Sequence, residues 1–270
     1  MNKSFDPNTV SYLRQADSIY KNGFENEEMK MVFIENFFEE IGGSEVKLSL
    51  MKSTCFVLQG FVEVACPKHL LQLIKAYKEE LQDSAESQQG CHLVQKTLQR
   101  IVLLKKEDPA NTIWSEVDKT IEEVAEILCE DLPTWLKHKY ASHVTRSVIE
   151  TLGGAVFSAE VETTLSTCDQ ISSLKLFIDI ICKMQRQQFV EIITHQSGTP
   201  SVSILLRICA LRSETLIGSL CGKILKVCDD STLIILAKDR TGSHLIEQLI
   251  NSGNDETLKK ISAIFTGDKL

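Results

Sequence analysis

Lys238-Asp239-Arg240-Thr241-Gly242-Ser243-His244-Leu245-Ile246-Glu247-Gln248-Leu249-Ile250 is the stretch whose reading decides the fold. Thr241-Gly242-Ser243 suits a helix start, since Gly and Ser favour turns and N-caps. Leu245, Ile246, Leu249 and Ile250 then form one apolar stripe at helical spacing, which predicts a buried face. Ser243, His244 and Glu247 lie beside that stripe, on an adjoining face. A small hydroxyl, a flat ring and a carboxylate are therefore displayed within about one turn.

The same order of residue types recurs upstream. Gly90-Cys91-His92-Leu93-Val94-Gln95 and Ala141-Ser142-His143-Val144-Thr145-Arg146 repeat it closely. Thr54-Cys55-Phe56-Val57-Leu58-Gln59 and Gly198-Thr199-Pro200-Ser201-Val202-Ser203 are weaker copies. Anchored on their second residues, the copies stand at 55, 91, 142, 199 and 243, spaced 36, 51, 57 and 44 residues apart. Recurrence on this scale predicts an all-α fold, a curved α-solenoid of stacked helical repeats. Period-2 apolar alternation is brief everywhere, so no β architecture competes.

Around these copies the pattern predicts outer helices. Residues 7–22 and 26–41 read as two amphipathic helices, with Met29, Val32, Phe33, Phe37 and Ile41 facing inward and Gly42-Gly43 as the stop. This pair lacks the surface motif and is expected to be an N-terminal helical cap over 1–43, with about five repeats over 44–270. Residues 44–52 and 54–65 form the first pair. Pro67 opens an outer helix, and Gln82–Gln89 is expected to be a polar loop. Outer helices follow at 112–130 and 171–195, while Leu233–Ala237 reads as a buried helix turn. Residues 257–265 look like the outer helix of a further unit without its inner partner, so the chain is expected to be the front part of a longer solenoid or a shortened form.

Composition narrows the function classes. The chain has 270 residues, 43% hydrophobic and 24% charged, which is ordinary globular material. Met1–Pro7 carries no apolar signal region, and no apolar run approaches the roughly 18 residues of a membrane span. Nine scattered cysteines without a Cys-x-x-Cys pair suit a reduced intracellular protein, most of them as small core residues, with no zinc site expected. No Gly-rich phosphate loop, H-E-x-x-H or G-x-S-x-G motif is present, so an enzyme is not expected. The net charge of −8 looks wrong for a nucleic-acid binder. Windows around the five repeated helices are nevertheless net positive together, which leaves the acidic load on the remainder.

In a stacked solenoid, matching positions line one groove. The candidate groove residues are Cys55, Phe56 and Gln59; Cys91, His92 and Gln95; Ser142, His143 and Arg146; Thr199, Pro200 and Ser203; and Ser243, His244 and Glu247. Two polar groups one turn apart suit the Watson–Crick edge of a base, and a planar side chain between them suits stacking. The competing reading makes the small residues N-caps or packing groups and Arg146 and Glu247 solvated charges. A Cys91/His92 catalytic pair is not expected, because adjacent helical residues do not face each other.

At these motifs the chain resembles Pumilio (PUF) repeats, whose second helix carries a five-residue RNA-reading motif. Cys91–Gln95, Ser142–Arg146 and Ser243–Glu247 match it well, Cys55–Gln59 fairly, and Thr199–Ser203 only in degenerate form. The resemblance implies an adenine reader at Cys91/Gln95 and a guanine reader at Ser243/Glu247, while Arg146 and Ser203 depart from the usual code. A narrower likeness, over Val10–Arg14, Gly23–Glu28 and Asp239–His244, is to the PUF-like factors of small ribosomal subunit assembly. It implies binding of single-stranded or structured RNA, namely precursor ribosomal RNA, in the nucleolus in support of 18S maturation. Contacts with pre-ribosomal particle proteins are compatible with it; no cofactor, metal, membrane or small-molecule substrate is implied. The alternative is a HEAT- or armadillo-type scaffold that binds protein, which explains the helices but not the recurring surface motif.

Overall fold

The computed structural model describes residues 7–157, 164–166 and 170–266. The segment Met1–Asp6, on which most of the signal-region reading rests, lies outside them. Among the described residues are seventeen helices and one pair of two-residue strands. After helices α1 (Pro7–Asn22) and α2 (Glu27–Glu40), the helices run in triplets of short, inner and outer. The triplets are α3–α5 (Glu45–Ser49, Lys52–Val64, Pro67–Glu79), α6–α8 (Leu81–Glu86, Gln88–Glu107, Trp114–Glu130), α9–α11 (Leu132–Lys137, Ala141–Leu152, Ile171–Lys183), α12–α14 (Arg186–Ile193, Gly198–Arg212, Glu214–Val227) and α15–α17 (Asp230–Lys238, Gly242–Ser252, Asp255–Phe265). Each motif copy lies on the middle helix of its triplet. No helix is long and apolar enough to cross a membrane among these residues.

The chain forms two compact units, residues 1–120 and 121–270. In the first, α1 packs on α4, and α4 packs on α7. An aromatic core joins α2 to α4: the Phe37 and Phe61 rings stack with centroids 3.5 Å apart, and both residues are buried. Truncating either to Ala in such a site typically costs about 3–5 kcal/mol. Gly23, at φ +85°, turns the chain between α1 and α2 where a side chain would be strained.

Two expectations are corrected in this unit. Met29 and Val32 are 49% and 56% exposed instead of inward. Helix α2 is apolar on more than one side, and the stripe Ile34, Phe37, Phe38 takes the core, which leaves the other outside. The expected loop over 82–89 is mostly helix α6, because Leu81, Ser84 and Ala85 fall at i, i+3 and i+4 and are buried. The Ser84 hydroxyl donates to the Glu80 carbonyl, which satisfies it inside that packing.

In the second unit, α10, α13 and α16 pack side by side in that order. Helix α14 carries no motif copy, and the repeat pattern passes over it. It is nevertheless a regular helix whose Leu216, Ile217, Leu220, Cys221 and Ile224 are buried, capped by the Ser213 hydroxyl on the Leu216 amide. The stretch 171–195 divides at Met184-Gln185 into α11 and α12. Helix α17 packs on α14, α15 and α16 and so completes the last triplet, where the repeat pattern suggests the start of a further unit. In α15, Leu233 and Leu236 are buried but Ile235 is 63% exposed, so that turn is only half core. Between α10 and α11, strands β1 (Ala155–Val156) and β2 (Thr164–Leu165) pair antiparallel. Arg212 of α13 holds this insertion, its guanidinium donating to the carbonyls of Gly153, Gly154 and Ser166.

The step from short helix to inner helix is built the same way in most triplets. Four residues before the motif, Ser87, His138, His195 and Asp239 accept from backbone amides of the turn. Just before the motif, Gly90, Gly198 and Gly242 lie against the carbonyl six residues earlier. A Cβ there would sit 2.4, 2.2 and 2.5 Å from the Ser84, Ile192 and Leu236 oxygens. Close backbone approach, beyond turn propensity, is what these glycines allow. In the first triplet Thr54 fills that place and donates its hydroxyl to the Leu48 carbonyl instead.

Candidate nucleic-acid interface

In the first unit, α4 and α7 line a cleft of about 740 Å³. Phe56, 63% exposed, and His92, also exposed, present their rings to it, and Gln59 and Gln95 are half-buried one turn on. Lys52, Gln88, Gln89, Lys96 and Gln99 complete the lining. The cleft is therefore polar with little net charge, since Lys96 is paired with Glu63 and Lys52 adds one cation at its edge. A flat ring followed by a carboxamide suits base stacking and edge contacts that are sequence-tolerant and weakly dependent on salt.

The small first residues of the motif behave differently from expectation. Cys55 and Cys91 are 2% and 1% exposed. The Cys55 thiol contacts the Gln89 carbonyl of α7 and accepts from the Gln59 amide; the Cys91 thiol contacts the Gln88 carbonyl. Burial lifts the Cys91 thiol to about 11, so it stays neutral. In the second unit, Ser142 and Thr199 are 0% and 2% exposed. Thr199 donates to the Ile193 carbonyl, whereas the buried Ser142 hydroxyl has no hydrogen-bond partner among the described residues. The preceding short helix covers this position, so four of the five small residues are packing groups here. Only Ser243 remains half-exposed, its hydroxyl donating to the Arg240 carbonyl.

The second position faces solvent in most copies. His143 and His244 are exposed, as are Phe56 and His92 in the first unit, and Pro200 is half-exposed. The fifth position is mixed. Arg146 is half-buried, with one guanidinium nitrogen 2.6 Å from His143 Nδ1 and Nε donating to the Ser142 carbonyl. Burial draws its pKa down, and Glu150 opposes that. Ser203 is buried and its hydroxyl donates to the Thr199 carbonyl. Glu247 is exposed, 3.2 Å from His244 Nδ1.

A cleft of about 270 Å³ in this unit gathers Arg146, Pro200, Ser203, Arg207, His244 and Gln248 from all three inner helices. Arg207 sits over the Phe157 ring at 3.6 Å. Beneath lies Glu150, 9% exposed. Burial pushes its carboxyl up to about 7, and Arg146, Arg207 and the Phe157 amide hold it from rising further. Arg207, Glu150 and Gln99 were accessible to the same periodicity that gave the motif. They fall eight residues after its first position, where the inner face continues for one more turn.

Residues 86–101 and 233–263 match the Pumilio-family RNA binding repeat profile. The second segment covers most of the last triplet. The chain is 22% identical to nucleolar protein 9 of Candida albicans over 300 residues, covering 92% of this chain and 42% of that protein. It is 22% identical to human nucleolar protein 9 over 287 residues, covering 90% of this chain and 44% of that protein. It thus spans under half the length of these curated relatives. Among solved structures, APUM23-GGAGUUGACGG superposes with TM-score 0.75 and 18% identity over 96% of this chain and 51% of that one. The RNA-binding domain of yeast Puf5p bound to MFA2 RNA superposes with TM-score 0.64 and 17% identity over 98% and 62%. The triplet stack is the helical-repeat fold of these Pumilio-type proteins.

Proposed function

We propose that this Pumilio-type repeat protein binds RNA through the inner-helix faces of its units. By its likeness to nucleolar protein 9, the RNA is precursor ribosomal RNA in the nucleolus, in support of small-subunit maturation. The observation that carries the reading is the second motif position. Phe56, His92, His143 and His244 are all exposed on inner helices beside a polar fifth position, the first three of them one residue after a packed small residue. Packing alone gives no reason for rings at that register to face solvent. The reading is of a binding protein without catalysis, with Gln59, Gln95 and Glu247 as edge contacts and Arg146 as a contact to phosphate or base. Because the small residues are packed, base choice falls mainly on the ring and the fifth residue.

The test is a titration of the purified chain with labelled single-stranded RNA, with duplex DNA as the control. Saturable binding to RNA that weakens between about 50 and 200 mM salt is expected. Absence of binding to any single-stranded RNA, or equal binding to duplex DNA, would overturn it. Protein contact has an observation of its own: Ile19, Met29 and Val32 are exposed and line one groove between α1 and α2. That patch suits a protein neighbour within a pre-ribosomal particle.

A further inference from the structure

Among the described residues one cysteine is unlike the others. Cys55, Cys91, Cys129, Cys182, Cys209, Cys221 and Cys228 all have thiols made less acidic by burial. Cys66 is exposed at the N-cap of α5, a 13-residue helix. Its Sγ lies 3.4 Å from His69 Nδ1, and His69 Nε2 lies 2.8 Å from Glu35 Oε2. Glu35 comes from α2 and also holds the Lys68 ammonium. The His69 ring is buried and stacked on Phe38, centroids 4.2 Å apart. Ring orientation is thus fixed by stacking on one side and by a carboxylate on the other.

A helix cap requires only an acceptor for a backbone amide, and a thiol is a poor one beside Ser or Asp. His69 closes that cap, its Nδ1 accepting from the Cys66 amide at 3.4 Å, but the cap does not require a carboxylate from another helix behind the histidine. The sequence thiol, imidazole, carboxylate is the arrangement that activates sulfur as a nucleophile.

We infer that Cys66 is a nucleophilic thiol that exchanges with low-molecular-weight disulfides, with His69 as its base and Glu35 positioning that base. His69 Nδ1 takes the thiol proton as Sγ attacks one sulfur of the disulfide. A new S–S bond forms, the old one breaks, and the departing thiolate takes up a proton. The Cys66 sulfur is oxidised and the departing sulfur reduced, so electrons balance. Glu35 stabilises the imidazolium that forms in between. The charged groups facing the pair are Glu35, Lys68 and, beyond Lys68, Glu39. Burial works to raise the Cys66 pKa, but the hydrogen bonds from His69 outweigh it and leave the thiol more acidic than usual. Burial likewise works to lower the His69 pKa, and Cys66 and Glu35 outweigh it in the other direction.

The test exposes the full chain to glutathione disulfide and follows adducts on each cysteine-containing peptide by mass spectrometry from pH 5.5 to 9. Cys66 is expected to be modified first, at pH 6 roughly tenfold or more faster than a small reference thiol. Glu35→Gln, at a surface carboxylate, is expected to move the pH profile of Cys66 toward that of the reference thiol, with circular dichroism unchanged. Cys66→Ser should leave no fast adduct. A Cys66 rate equal to the reference thiol, or a pH profile unmoved by Glu35→Gln, would overturn the inference and leave a simple helix cap.

Discussion

The inner faces of the two units share one register and differ in chemistry. On α4 and α7 the rings Phe56 and His92 stand among glutamines. On α10, α13 and α16 the rings His143 and His244 stand among Arg146, Arg207 and Glu247, above the buried Glu150. What is common is set by backbone: the capping residue four before the motif, and the close approach of short to inner helix. What differs is carried by side chains at the fifth and ninth motif positions, which packing leaves free to vary. A repeat fold can therefore hold the geometry of a binding face constant while its charge changes from one unit to the next.

The common part is the most sensitive. Gly198→Ala and Gly242→Ala put a Cβ against the Ile192 and Leu236 carbonyls, and each is expected to cost about 1–3 kcal/mol or more of stability. Ala141 takes the same place in the third triplet with its methyl already buried, so Ala141→Gly should cost only about 0.5–1 kcal/mol. Urea melts of the three variants check this. Equal effects at all three positions would mean that the junctions are not built alike.

RNA binding should separate the units. Removing Arg146 and Arg207 together is expected to weaken binding by roughly 1–3 kcal/mol and to flatten the dependence of log Kd on log salt by about 0.7 for each phosphate no longer neutralised. Removing His92 and Gln95 together is expected to weaken it by about 1–3 kcal/mol, toward the lower end, with the salt slope unchanged, because stacking and neutral edge contacts release no counterions. Anisotropy titrations at three salt concentrations distinguish the two. If both pairs change the slope equally, the chemical contrast between the faces has no functional counterpart.

Much of this was open to reading from the chain alone. The apolar stripes of α7, α10 and α16 and the exposed rings beside them follow from helical spacing, as do the rough positions of the outer helices, with Ile250, 45% exposed, the member of the α16 stripe that stays outside. The depth of the small residues does not. Whether Cys91 or Thr199 faces solvent depends on how closely the short helix approaches, and the sign of that is the glycine before the motif. Read as a turn residue, Gly90 or Gly198 says nothing of depth; read as a place where a carbonyl comes within 2.5 Å of an absent Cβ, it fits the burial of its neighbour, although Ser243 after Gly242 stays half-exposed. Helix α6 stayed hidden because its apolar side is only Leu81 and Ala85 with Ser84 between them. The sides of α2 could not be ranked because apolar residues surround it, and only the tertiary stacking of Phe37 on Phe61 decides which side is inward.

The smallest expected effect is one of pH, and it belongs to the second unit alone. The Glu150 carboxyl is lifted from its ordinary 4.5 to about 7 by burial. A folded carboxyl with a raised pKa holds its proton where the unfolded chain has released it. Between about 4.5 and 7 the folded state therefore binds more protons, and stability falls as pH rises through that window. Glu150→Gln should abolish this contribution and flatten the pH dependence of Tm there, which scanning calorimetry can follow. The same proton bears on binding. Above pH 7 the Glu150 carboxylate offsets part of the charge of Arg146 and Arg207; below it the two guanidiniums act on RNA with less compensation. Affinity is expected to rise modestly from pH 8 to pH 6 in the wild type, while the Gln variant binds at both pH values as the wild type does at the lower one. A variant profile superimposable on the wild type would remove Glu150 from the account and leave the contrast between the units to its two arginines.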